Sequence, residues 1–217
     1  MNVINFDTIP SVVSNYMSQL RDTTVQTDRM RFRRNLERIG EIMAYEISKT
    51  LDYTTVDTIT PLATASCRHI ADHVVLATIF RAGLPFHQGF LNILDGADNA
   101  FVSAYRQYTD EENFDVNIEY LASPRLNGST LIIADPMLAT GTSMEMAYRA
   151  LLTKGNPAHV HLAAVIASQA AVDYVKSHFP ADSTTLWVGA IDPELNAHSY
   201  IVPGLGDAGD LAYGGKD

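Results

Sequence analysis

The sequence predicts an α/β domain: a parallel, twisted sheet with helices on both faces, preceded by one long helix and interrupted by a protruding β-arm. Two observations carry this expectation. From His73 onward, apolar runs of strand length alternate with amphipathic stretches of helix length, the rhythm of successive β-α-β units. The run Leu131 to Ala134 then stops at Asp135 and gives way to a small, hydroxyl-rich loop and a helix. In such sheets ligands sit beyond the C-terminal ends of the strands.

Taken in order, residues from about Thr27 to Leu51 read as one helix. Met30, Leu36, Ile39, Met43 and Ile47 recur at helical spacing, and Asp28 stands near the start. This helix dominates an N-terminal helical region, residues 1–70. Its Arg29, Arg31, Arg33, Arg34 and Arg38 form a basic patch, read as a solvated or interface face or, alternatively, as an effector or RNA contact. Val74 to Phe80 is a strand, about Pro85 to Leu94 a helix, and Ala100 to Tyr108 a strand. Asp110 to Gly128 breaks the rhythm. Val116, Ile118 and Tyr120 alternate with Asn117 and Glu119 there, as in a strand, so residues 109–128 are expected to form the arm. After the 131–134 strand come a helix from about Met144 to Lys154, a strand His159–Ala167, a helix Gln169–His178 and a strand Thr185–Ile191.

No linker, repeat or low-complexity tract divides the 217 residues, so one domain spanning 1–217 is expected. Apolar residues make up 47%, enough for a sizeable core. A net charge of −10 argues against a nucleic-acid surface. Met1 to Val13 lacks the basic and apolar regions of a signal peptide. No apolar run approaches the roughly 20 residues that cross a bilayer. Cys67 is the only cysteine, which excludes an intrachain disulfide and points to a reducing cytoplasm. Neither nucleic acid nor membrane is therefore an expected partner.

The chemistry concentrates in Asp135-Pro136-Met137-Leu138-Ala139-Thr140-Gly141-Thr142-Ser143. A short loop entering a helix lets several backbone N–H groups converge where the dipole favours an anion. Thr140, Thr142 and Ser143 add hydroxyl donors, and Gly141 permits close approach or positive φ. Asp135 repels that anion and must face sugar hydroxyls or a metal. Phosphate on the loop and ribose on the carboxylate together describe a phosphoribosyl group. Arg81 and Arg106 also fall at strand ends.

Other signals fail on context. Gly204 to Gly209 matches G-x-G-x-x-G, but it does not join the first strand and helix of a βαβ unit as a dinucleotide site requires. His69 and His73 have i,i+4 spacing without a third ligand, which leaves zinc weakly supported and no protein metal site expected.

The segment Asp135 to Gly141 with its hydroxyls resembles the phosphoribosyl-pyrophosphate (PRPP) motif of uracil phosphoribosyltransferases. Tyr200-Ile201-Val202-Pro203-Gly204-Leu205-Gly206-Asp207-Ala208-Gly209-Asp210 resembles that family's uracil-binding segment, placed here at 191–212. Phe80-Arg81-Ala82-Gly83-Leu84 and Tyr105-Arg106 add two further matches in order. The resemblance implies conversion of uracil and PRPP to UMP and pyrophosphate in pyrimidine salvage. It implies that Arg81, Arg106, Asp207 and residues 135–143 (Asp135, Pro136, Met137, Leu138, Ala139, Thr140, Gly141, Thr142, Ser143) bind PRPP. Ile201, Gly206, Asp207 and Ala208 would bind uracil, with Asp207 and Arg106 the catalytic residues. Mg²⁺ would enter as Mg–PRPP rather than in a protein cage. The assembly would be a homodimer or larger, with the arm over the active site or at a subunit contact.

One position departs from the family pattern: Thr142 stands where a second glycine is usual. A β-branched residue at positive φ would be strained; at negative φ it adds a phosphate donor, the reading adopted here. Two alternatives remain open. A related transferase could take another nucleobase, and a protein of this fold could sense nucleotides and bind RNA through Arg29 to Arg38.

Overall fold

The computed structural model describes residues 1–108 and 114–215. One sheet runs in the order β1 (Asn2–Asn5), β10 (Thr184–Asp192), β9 (His159–Ser168), β7 (Thr130–Ala134), β4 (Val74–Phe80), β5 (Asp98–Tyr108), β6 (Phe114–Ala122), with the short β8 (Met137–Leu138) also on β9. All these pairings are parallel except β5–β6. The central strands are buried on both faces, which explains their unbroken apolar runs.

Side-chain alternation divides the interior into two clusters. Val74, Leu76, Ile132 and Ala134 face one side, where α1 (Val12–Arg21), α2 (Arg29–Ser48), α3 (Gly83–Ile93) and α6 (Ala208–Tyr213) pack. Val75, Ala77, Leu131 and Ile133 face the other, covered by α4 (Thr142–Leu152) and α5 (Gln169–His178). The helices α2 and α3 approach closely through Gly40 and Gly89. A Cβ on Gly89 would lie 2.0 Å from the Glu37 carbonyl oxygen, and one on Gly40 would lie 2.4 Å from that of Phe86. The Asp28 carboxylate accepts from the Arg31 N–H at 3.1 Å and starts α2, as the sequence suggests.

Two expectations are corrected. Residues 1–70 are not only helical: β1 extends the sheet beside β10, and β2 (Tyr53–Ile59) pairs antiparallel with β3 (Thr64–Ile70). That hairpin buries almost nothing, with Ile59 90% and Leu62 97% exposed, so no one-sided apolar pattern announces it. The arm is shorter than expected, because β6 ends at Ala122 and Leu126 is buried; residues 109–113 lie outside the described residues. His69 belongs to β3, whereas His73 lies beyond it and contacts Asp98 at 2.8 Å, so the i,i+4 spacing makes no helical pair.

The basic patch of α2 is largely occupied within the chain. Arg33 donates to the Ala212 carbonyl at 2.7 Å, Arg34 pairs with Glu37 at 2.7 Å, and Arg38 lies over the Tyr16 ring.

Candidate active site

β7 delivers Asp135 to the C-terminal edge of the sheet, and the chain then turns through β8 into α4. Burial pushes the Asp135 carboxyl up to about 7, opposed in part by the Met137 N–H, which donates to it at 3.3 Å. Gly141 is the N-cap of α4 with φ +87°, and no side chain caps the helix. The first helical bond is Glu145 N–H to the Gly141 carbonyl, which leaves the amides of residues 142–144 without intrahelical partners. Here the dipole and the orphan donors coincide.

Thr142 is the first helical residue, and the positive φ belongs to Gly141 alone in this turn. The β-branched side chain is therefore unstrained. Its hydroxyl contacts that of Thr140 at 2.8 Å. A small cleft is lined by Asp135, Met137, Leu138, Ala139, Thr140, Gly141, Ser143 and Met144; Pro136 is buried beneath it. A larger groove of about 630 Å³ lies between α2, α3 and β5, but it holds none of these groups.

Two supports of this loop were not legible in the sequence. The buried Ser168 hydroxyl donates to the Ala139 carbonyl at 2.6 Å while accepting from the Ala171 N–H. The Tyr174 ring packs on Gly141, where an added Cβ would meet it at 2.7 Å. Tyr174 also donates through its hydroxyl to Glu145, which Arg149 contacts from the next turn. Burial would raise the Glu145 carboxyl, but the Tyr174 hydroxyl and Arg149 overcome it and hold the carboxyl below its usual range. The acid nearest the orphan amides is thus already engaged.

The C-terminal segment closes on this loop. Ile201 is buried in β12 (Ile201–Val202), which pairs with β11 (Glu194–Leu195). Gly206 has φ +90° and is exposed, and Asp207 caps α6 by accepting from the Asp210 N–H at 3.0 Å. The Ala208 N–H points at the Met137 sulfur, 3.3 Å away, which joins the expected base segment to the expected phosphate loop.

Arg81 stands just beyond β4. Its guanidinium donates to Asp210 at 2.9 Å and to the Gly214 carbonyl at 3.3 Å, while its buried Nε finds no partner among the described residues. Arg106 lies in β5 opposite Val116 of β6; its side chain is outside what the structure describes. Arg81, Asp135 to Ser143 and Ile201 to Ala208 are thus linked through the Met137–Ala208 and Arg81–Asp210 contacts. Among the described residues, no three His, Cys, Asp or Glu side chains gather as a metal cage would require.

These features have counterparts in known proteins. A family model described as uracil phosphoribosyltransferase matches residues 10–215. A uracil phosphoribosyltransferase of Porphyromonas gingivalis is 60% identical over 216 residues, covering 100% of both chains. One from Methanothermobacter thermautotrophicus is 39% identical and covers 94% of each. Among solved structures, the AQ2163 protein from Aquifex aeolicus superimposes with a TM-score of 0.87 at 28% identity, covering 98% of both chains. A hypoxanthine phosphoribosyltransferase from Staphylococcus aureus shares the fold at TM-score 0.51 and 14% identity, over 86% of this chain and 84% of that one. The chain belongs to the uracil phosphoribosyltransferase family.

Proposed function

We propose that the loop Ala139 to Ser143 seats the 5′-phosphate of PRPP, that Asp135 holds its ribose hydroxyls, and that the segment Ile201 to Ala208 holds uracil. Membership of the family makes the chain a pentosyltransferase, forming UMP and pyrophosphate from uracil and PRPP. The residue roles rest chiefly on one observation, the Ala208 N–H meeting the Met137 sulfur. Thioether sulfur is a weak acceptor, so a uracil carbonyl would displace it readily. Backbone amides around Asp207 and Ala208 then face the C2 and C4 carbonyls, and a carbonyl near Ile201 or Gly206 accepts from N3. Cytosine would present an amino group to a donor, a mismatch that a buried site rejects strongly.

In this reading uracil N1 attacks the anomeric carbon as pyrophosphate leaves through an oxocarbenium-like state. The chain aligns the two reactants and stabilises the departing charge. Arg81 suits pyrophosphate because its planar fork binds phosphate oxygens in pairs, and its Nε is unengaged. Arg106 is assigned beside it. Asp207 exposes a carboxylate, a hard oxygen donor that fits Mg²⁺ carried by PRPP, directly or through water. When bound, Mg²⁺ supplies charge neutralisation to the pyrophosphate.

We assign the hairpin β2–β3 to contact with a second copy of the chain, giving a homodimer or larger assembly. A two-stranded hairpin alone is marginal in water, and this one carries Ile59 and Leu62 almost fully exposed. A cytoplasmic location accords with a lone cysteine, Cys67, in the reduced form. Among the described residues no helix is long and apolar enough to cross a membrane.

The test is UMP formation from uracil and PRPP with Mg²⁺, beside Asp207→Ala, with cytosine, xanthine and orotate as competitors. Turnover that is specific for uracil and collapses in the variant supports the assignments. Full activity in Asp207→Ala refutes the role of Asp207.

A further inference from the structure

The backbone that would grip uracil is itself held by side chains from outside it. Gly204 turns at φ +63°, so tightly that an added Cβ would lie 2.0 Å from the Ile201 carbonyl oxygen. Both of its backbone polar groups are taken. The Gly204 N–H donates to Asp192 Oδ2 at 2.8 Å, and its carbonyl accepts from Arg21 Nη1 at 3.0 Å. Arg21 closes the ring by pairing with Asp192 through two bonds of 2.7 Å. Next along the loop, the Leu205 carbonyl accepts from Gln26 Nε2 at 3.1 Å, and the same amide nitrogen reaches the Leu20 carbonyl at 2.7 Å.

Arg21 ends α1 and Asp192 ends β10, so this network ties the N-terminal region and the sheet to Gly204, which lies between the proposed base contacts at Ile201 and Gly206. It is not an ordinary surface pair. The Asp192 side chain is only 7% exposed; burial would raise its carboxyl, but Arg21 and the Gly204 N–H overcome this and hold it below its usual range. Two parallel N–H···O bonds also fix orientation, which a single lysine ammonium cannot do.

We infer that Arg21 and Gln26 are positioning residues for base recognition. They hold the carbonyls of residues 204 and 205, and so present the amides of residues 206–208 in one fixed geometry. They set the affinity for uracil and leave PRPP affinity alone. The inference rests on the assignment of Ile201 to Ala208 as the uracil segment.

The experiment measures initial rates of the full chain with each substrate varied in turn, for Arg21→Lys, Asp192→Asn and Gln26→Ala, beside Gly206→Ala as a direct probe of the loop. The expected result is a KM for uracil raised about tenfold in Arg21→Lys and severalfold in Gln26→Ala, with the KM for PRPP within about twofold. A role in stability alone would lower the melting temperature or the active fraction and leave the uracil KM in place. If Arg21→Lys fails to fold, Gln26→Ala carries the test, since it removes no charge. Unchanged uracil KM in the brace variants, with a raised value in Gly206→Ala, overturns the inference and keeps the base segment. Unchanged uracil KM in all the variants overturns both.

Discussion

Replacing Asp135 by asparagine should stabilise this protein above neutral pH while impairing catalysis. The carboxyl is displaced by burial from 3.8 to about 7. At about 1.36 kcal/mol per pKa unit, keeping it ionised in the folded state costs up to about 4 kcal/mol. Asp135 is only half-buried, and water at the cleft mouth reduces this to about 1–3 kcal/mol. The sign follows from proton binding. Because the folded pKa lies above the unfolded one, the folded state holds more protons between about pH 4 and pH 7, so stability falls as pH rises through that window and is level above it. Asparagine cannot ionise and escapes the loss.

Urea melts of wild type and Asp135→Asn from pH 4 to pH 9 provide the assay. The variant should be more stable by about 1–3 kcal/mol at pH 8, with the advantage shrinking toward pH 4. Only the difference between the two proteins isolates Asp135. Burial also holds His161 down at about 3, which removes stability as pH falls from its ordinary 6.5 and opposes the Asp135 trend in wild type. The reasoning is refuted by a difference that is constant with pH, or by a variant less stable at pH 8. In kinetics, kcat/KM for PRPP should rise in wild type through an apparent pKa near 7, as the free enzyme gains the carboxylate that accepts from ribose hydroxyls. Asp135→Asn should lose that step.

Gly89→Ala forces a Cβ to within 2.0 Å of the Glu37 carbonyl and must part α2 from α3, so urea melts should show a loss above about 3 kcal/mol. Gly141→Ala adds a side chain at φ +87° against Tyr174; a left-handed non-glycine residue costs about 1–2 kcal/mol before the clash, and the KM for PRPP should rise with the displaced loop. Arg81→Ala removes a partly exposed pair with Asp210 and should change stability by no more than about 1 kcal/mol. Its kcat/KM should nevertheless fall about a hundredfold in steady-state assays, because a donor to the leaving pyrophosphate is lost.

Most strands and helices that bury a side were legible, α1 and α6 being exceptions. β4 and α5 occur over the expected residues, since an apolar run and a 3.6-residue period each record burial directly. The hairpin β2–β3 left no such record because its side chains meet almost nothing within the chain. β1 is four residues with two asparagines, too short for alternation to register. At the site, the phosphate loop could be read because a helix N-terminus gathers its donors within nine consecutive residues. The Arg21–Asp192 pair could not, because its partners are 171 positions apart and Arg21 carries no local motif.

The same distinction explains how a chain of net charge −10 can present a site for PRPP. Whole-molecule charge describes the surface, whereas the proposed phosphate seat is made from backbone. Three amides at the start of α4 have no helical partner, Gly141 as N-cap offers no side-chain oxygen to take them, and the nearby Glu145 is engaged by Tyr174 and Arg149. An acidic N-cap, the commoner way to begin a helix, would occupy those donors and place a negative charge where the phosphate belongs. Glycine at 141 therefore gives up a favourable cap at a cost of roughly a few tenths of a kcal/mol and leaves the donors free for the ligand.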